Sequence, residues 1–211
     1  MKNLIADLSI RKAALIVGIG FIIMFLLGLF ADAFVLQSLI VPGDTLGTTN
    51  NIKSDKLLFG LAIASYIIIL VLDVIIALAL YVIFKLVNKN LSIFAAVLRL
   101  VYTVIMGISL FALVLVLPNE YGYGKLIAYV FFISHVFILG YLVYKSNFIP
   151  RSLGIFLMIA SFCYIILLYG DIILSKELFE VLVMIAMIPA TFAELSLGIW
   201  LLLKKSTMSE I

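Results

Sequence analysis

The sequence predicts an all-α fold: a polytopic transmembrane bundle of six helices with both termini in the cytoplasm. Three observations predict it. Hydrophobic residues fill 66% of the 211 positions, mean hydropathy is +1.36, and only 12% of residues are charged, far from the composition of soluble domains. Six apolar runs are each long enough to cross ~30 Å of hydrocarbon, which takes ~20 helical residues. Lys and Arg are unevenly divided between the two sets of connections, as expected of a protein oriented in a membrane.

The first run, 13–36, follows Arg11 and Lys12 and reaches Ala31-Asp32-Ala33. A basic start, an apolar core and an A-x-A site imitate a secretory signal, but the run exceeds the usual ~7–15-residue signal core. It is expected to stay as a first span, with Asp32 interfacial at its far end. The segment VPGDTLGTTNNIKSDK (41–56) reads as a loop. A second run, 57–84, is separated by VNKN (87–90) from a third, 91–117. PNEYGYGK (118–125) is rich in turn formers, which places the fourth run at 126–145. KSNFIPR (145–151) precedes the fifth, 152–174, and SKE (175–177) precedes the sixth, 178–203. Connections this short imply antiparallel neighbours in a single membrane domain spanning 1–211.

Orientation follows from counting cations. With the N-terminus inside, Lys2, Arg11, Lys12, Lys85, Lys89, Lys145, Arg151, Lys204 and Lys205 make nine inside, against Lys53, Lys56, Lys125 and Lys176, four outside. That bias favours cytoplasmic termini. The two three-helix halves run in opposite orientations, as in inverted-repeat transporters, although no residue pattern repeats between them.

Composition also excludes functions. The single Cys163 rules out an internal disulfide, and with His135 as the one histidine there is no set of ligands for a zinc site or a bis-histidine haem. No lysine lies deep in a run to carry retinal, no basic patch suits nucleic acid, and no cofactor or metal is expected. Cys163 reads as a small core residue, and Tyr123, Tyr144 and Trp200 as interface anchors. Asp171 in LLYGD (167–171) lacks the first glycine of the intramembrane aspartyl protease motif and lies near a span end.

The informative residues are the ionisable ones deep in the spans: Asp73, Arg99, His135 and Glu194. Asp73 lies 12 residues from Lys85, Arg99 10 from Lys89, His135 10 from Lys145 and Glu194 10 from Lys204. At 1.5 Å per residue all four lie roughly 15–18 Å from those anchors, so four helices bring their charge to one depth. Insertion tolerates this: a mid-span Asp costs about 2.5–3.5 kcal/mol, while each Leu, Ile or Val returns about 0.3–0.6, and eleven lie between Ile67 and Leu80. In a folded bundle, however, such residues face the interior and pair. Two carboxylates meet one permanent cation, Arg99, and a histidine that is neutral or positive. The surplus carboxylate must share Arg99, hold a proton, pair with imidazolium or face a bound cation.

Small and polar residues surround these positions. Ser92, Ala96, Thr103 and Gly107 accompany Arg99 at helical spacing, and Ala186, Ala190 and Gly198 form a small-residue ridge beside Glu194. Tyr102, Thr103, Ser134, Ser161, Tyr164 and Thr191 are the expected supporting polar groups. Ser134 and His135 are adjacent and point ~100° apart on a helix, so they form no dyad, while Ser161 and Tyr164 are candidates to approach His135. Pro189 removes a backbone bond to the Ile185 carbonyl, which makes a kink or a carbonyl ligand.

The runs LDVIIALALYVIFK (72–85), RLVYTVIMG (99–107), HVFILGYLVYKSNFIPRSLGIFL (135–157) and ELSLGIWLLLK (194–204) together resemble the bacterial "domain of unknown function 4386" family of small multispanning membrane proteins. Asp73, Arg99, His135, GYL at 140–142, PRSLG at 150–154 and Glu194 carry the resemblance. It implies a bacterial membrane location and no particular activity.

Three functions compete. The polar layer binds or translocates a small polar or ionic solute or a lipid head group; or it fixes helix packing in an accessory or sensing protein; or the protein is a membrane enzyme on a lipid-like substrate, with His135 or Glu194 as base and Arg99 stabilising an anion. No nucleophile motif supports the last. The expected partners are membrane lipids and a small polar or ionic ligand.

Overall fold

The computed structural model describes residues 8–41 and 43–204. Lys2 and Lys205, counted above for orientation, and the side chain of Asp171 lie outside the described residues. Seven helices and no strands are present among those described: α1 (Ile10–Leu39), α2 (Thr45–Ser54), α3 (Lys56–Phe84), α4 (Lys89–Val114), α5 (Pro118–Lys145), α6 (Arg151–Ile173) and α7 (Lys176–Leu203). Six of them, all but α2, are long and apolar enough to cross a membrane.

Side-chain caps start several helices where the sequence supplies them. Asp55 accepts from the Leu58 N–H at the head of α3, and Asn88 from the Leu91 N–H at the head of α4, satisfying donors that have no partner within the helix. Two boundaries differ from the sequence expectation. Helix α5 begins at Pro118 rather than near 126, because proline at the first helical position gives up only an N–H that would be unpaired anyway. Within its first two turns Gly124 lets Ser109 of α4 pack against the backbone. The expected loop at 41–56 contains α2, capped by the Asp44 carboxylate on the Gly47 N–H at 2.8 Å.

Helix α1 changes character along its length: residues Ile10–Gly28 are α-helical, Leu29–Leu36 form a π-helix, and Gln37–Leu39 return to α. At the α4–α5 turn, Val116 adopts φ 61°. Its N–H bonds the Leu113 carbonyl and the Leu117 N–H bonds the Ala112 carbonyl. This is the Schellman closure normally made with glycine, here made by a β-branched residue in a left-handed conformation.

Each span packs on its neighbours in sequence, and α1 also packs on α7, so the six close into a ring. Gly18 meets the Gly198 backbone, and Phe25 and Phe192 rings lie 5.8 Å apart; α1 and α7 are therefore antiparallel, with Ile10 and Leu203 at one end of the bundle. Beyond Gly28 the π-helical part of α1 leans on α3 instead. The tightest crossing joins α5 and α6. A Cβ on Gly140 would meet the Gly154 carbonyl oxygen at 2.8 Å, and one on Gly154 would meet the Gly140 carbonyl oxygen at 2.6 Å, so backbone lies on backbone there. Large aliphatic residues such as Ile67, Val71, Ile108 and Met184 face outward, forming the apolar belt of a transmembrane bundle.

Candidate functional site

Arg99 of α4 is the hub of the bundle. Its side chain is wholly buried, and each guanidinium nitrogen has a partner on another helix. Nε donates to Asp73 Oδ1 of α3 at 2.8 Å, and Nη2 lies 2.7 Å from the same oxygen. Nη1 donates to Glu194 Oε1 of α7 at 2.6 Å and to His135 Nε2 of α5 at 3.1 Å. Nη2 also faces Met24 Sδ of α1 at 4.0 Å. The Phe21 ring of α1 and the Phe132 ring of α5 lie 5.3 and 5.9 Å from the guanidinium carbon, within cation–π range. The four sequence candidates Asp73, Arg99, His135 and Glu194 thus meet in one cluster.

Donor–acceptor logic assigns the histidine. His135 Nδ1 lies 2.8 Å from the Ala95 carbonyl oxygen, an acceptor, so it carries the hydrogen. Nε2 faces Arg99, which can only donate, so it accepts. His135 is therefore the neutral Nδ1–H tautomer and brings no charge. Asp73, Glu194 and Arg99 remain, with one negative charge in surplus when both carboxyls are ionised. The two carboxylates are not equivalent. Asp73 is fully buried and its Oδ2 has no hydrogen-bond partner, whereas the Glu194 side chain keeps 18% of its surface accessible.

The supporting residues fall into two groups. Thr103 donates to the Arg99 carbonyl at 2.8 Å, in its own helix, and Tyr102 packs its ring on Phe132 and Tyr129. Neither Ser161 nor Tyr164 bonds His135: the first donates to the Met158 carbonyl, the second to the Ala190 carbonyl at 2.6 Å. The ring nitrogens are already taken by Arg99 and Ala95. Ser134 bonds the Val130 carbonyl within α5, and Thr191 is exposed to a cavity. Tyr164 binds the carbonyl of Ala190, which follows Pro189, and not the Ile185 carbonyl that Pro189 leaves unbonded within the helix.

That cavity, about 950 Å³, opens at the end of the bundle opposite Ile10 and Leu203, between α1, α5, α6 and α7. Its deepest residues are Tyr129, Tyr164 and Thr191; Thr191 lies one turn from Glu194. Tyr102, Tyr129, Phe132 and Tyr164 form a contiguous set of rings, with centroids 4.9–6.0 Å apart. Two of these rings line the cavity and Phe132 touches Arg99, so an aromatic layer divides the cavity from the charged centre. On the cavity wall Asp32 of α1 pairs with Lys125 of α5 at 3.4 Å. Asp32, expected at an interface, has a partner across the bundle, because Lys125 sits in the second turn of α5 and not in a loop.

The family profile for Domain of unknown function (DUF4386) matches residues 16–204. The chain belongs to this family. An uncharacterised protein from Archaeoglobus fulgidus is 35% identical over 150 residues, covering 71% of this chain and 87% of that protein. No solved structure matches the chain.

The geometry gives the DUF4386 resemblance residues physical roles in this chain. Gly140 and Gly154, from GYL and PRSLG, make the backbone crossing of α5 and α6. Asp73, Arg99, His135 and Glu194 form the cluster itself. Sequence reasoning missed Met24, Phe21 and Phe132, which wall the guanidinium. Apolar side chains in apolar spans carry no signal that separates a wall of the site from any other core residue.

Proposed function

We propose that the protein binds or translocates a small polar or ionic solute, or a lipid head group, at the Arg99 centre, from the cytoplasmic membrane and with both termini cytoplasmic. The observation that carries this is the surplus carboxylate. A structural staple needs one carboxylate for one guanidinium; here a second arrives from α7, only partly buried, one turn below the floor of an open cavity. Glu194 is then the group that meets the solute or exchanges a proton or cation with it. Arg99 holds that carboxylate when the site is empty and is freed to engage an anionic group when Glu194 is otherwise occupied. The aromatic layer of Tyr129, Tyr164 and Phe132 is the barrier that must part.

The test is flux in proteoliposomes loaded with a pH-sensitive dye and challenged with a panel of small organic cations, anions and zwitterions. Wild-type protein is expected to respond to one class, and Glu194→Gln and Asp73→Asn to abolish that response while remaining folded. A panel without response, or a response that survives both substitutions, overturns the proposal. The competing accessory reading has one observation in its favour: Asp73, Arg99 and His135 are sealed from solvent, as a purely structural cluster requires.

A further inference from the structure

Lys125 shows what the cavity wall can hold. Its ammonium nitrogen lies 5.9 Å from the Tyr121 ring centroid, 6.0 Å from that of Tyr129, and 3.4 Å from Asp32 Oδ1. Two π faces and a carboxylate are the elements by which proteins recognise ammonium groups. The grip on Lys125 itself is loose: the ion pair is long, and Asp32 and Lys125 keep 41% and 27% of their side-chain surfaces accessible. Tyr121 Oη is buried on the same wall.

The rest of the cavity suits a chain. Leu36 of α1 and Ile40 just beyond it line the cavity together with Val183 and Met187 of α7, in the half of the bundle where α1 leaves α7 for α3. The cavity is lined by both the first and the last span, and a chain entering between them would come from the surrounding bilayer. Electrostatics choose the sign of the head group. Among described residues, the end carrying the mouth has Asp32, Asp44, Asp55, Glu120, Glu177 and Glu180 against Lys53, Lys56, Lys125 and Lys176, and the one cation on the wall is already paired.

We propose that this cavity is a binding site for an amphiphilic ammonium: Asp32 and the faces of Tyr121 and Tyr129 take the head, the α1–α7 wall takes the chain, and Lys125 is the built-in competitor. The site is separate from the Arg99 centre and requires no role for Glu194. A free alkylammonium and a lipid head group bearing an amine share this chemistry.

The test is calorimetric binding of hexylammonium and of hexanesulfonate to the full chain in phosphatidylglycerol nanodiscs. Hexylammonium is expected to bind at least about tenfold more tightly than the sulfonate, Asp32→Asn to weaken it about tenfold, and Lys125→Ala to strengthen it several-fold. Glu194→Gln leaves it unchanged, which separates this proposal from the one above. Adding phosphatidylethanolamine to the nanodiscs weakens hexylammonium binding if the lipid head group is the natural occupant, and leaves it alone if a free amine is. Equal binding of the two probes, an Asp32→Asn variant that binds as wild type, or a Lys125→Ala variant that binds less overturns the proposal. Both positions are partly exposed, so both variants are expected to fold, with helical content by circular dichroism as the control.

Discussion

Two carboxylate–cation contacts in this bundle use the same chemistry and differ in everything that decides their energetics. At the Arg99 centre, a wholly buried guanidinium meets partners on four helices at distances down to 2.6 Å, and of its charged partners only Glu194 keeps part of its surface accessible. At the cavity wall, Asp32 and Lys125 touch once at 3.4 Å and both remain accessible. Removing a partner from the first leaves a charge in low dielectric; removing one from the second returns the other to a polar surface. Burial, rather than charge, separates the Asp73–Arg99 contact, which acts as scaffold, from the partly accessible carboxylates Glu194 and Asp32, which can exchange partners.

The largest expected effect breaks the sealed centre. Arg99→Leu strands Asp73 and Glu194 without a cation and should destabilise the bundle by about 3–5 kcal/mol, as for other buried pairs that lose one member. Equilibrium unfolding in mixed micelles measures it, and the double variant Asp73→Leu/Arg99→Leu should recover a large part of the loss. Next comes the backbone crossing of α5 and α6. Gly154→Val forces side-chain atoms into the Gly140 and Tyr144 backbone and should cost about 1–3 kcal/mol by overpacking, read in the same assay.

Smaller effects sharpen the contrast. Val116→Gly relieves a left-handed β-branched residue and should raise stability by about 1 kcal/mol, since the strain it removes exceeds the entropy that glycine adds. Lys125→Ala should change stability by roughly 0–1 kcal/mol, the range of exposed ion pairs. A cost near that of Arg99→Leu would erase the distinction between the two contacts.

The charged centre was legible because polar exceptions stand out in oily runs. Asp73, Arg99, His135 and Glu194 could be ranked by depth from their lysine anchors, and a common depth on four helices becomes contact once the ring closes. The opposite end of the bundle was less readable. Pro118, Asn119, Gly122 and Gly124 have the composition of a loop, yet proline is at home in a first helical turn and Gly124 is required by the packing of Ser109. That misreading put Lys125 in a connection and hid its pairing with Asp32. The π-helical stretch Leu29–Leu36 was invisible for another reason: its apolar residues and one aspartate carry no pattern that distinguishes a π-turn from an α-turn. The neutral state of His135 likewise follows from a backbone carbonyl, Ala95, which no side-chain pattern announces.

The central claim is that the Arg99 centre does more than hold helices together. The most direct test is solute-driven flux through proteoliposomes containing the folded Asp73→Leu/Arg99→Leu variant, at the same protein density as wild type. A folded bundle with no flux is the expected result. A folded bundle that carries the wild-type flux would contradict it and leave the charged centre a structural feature.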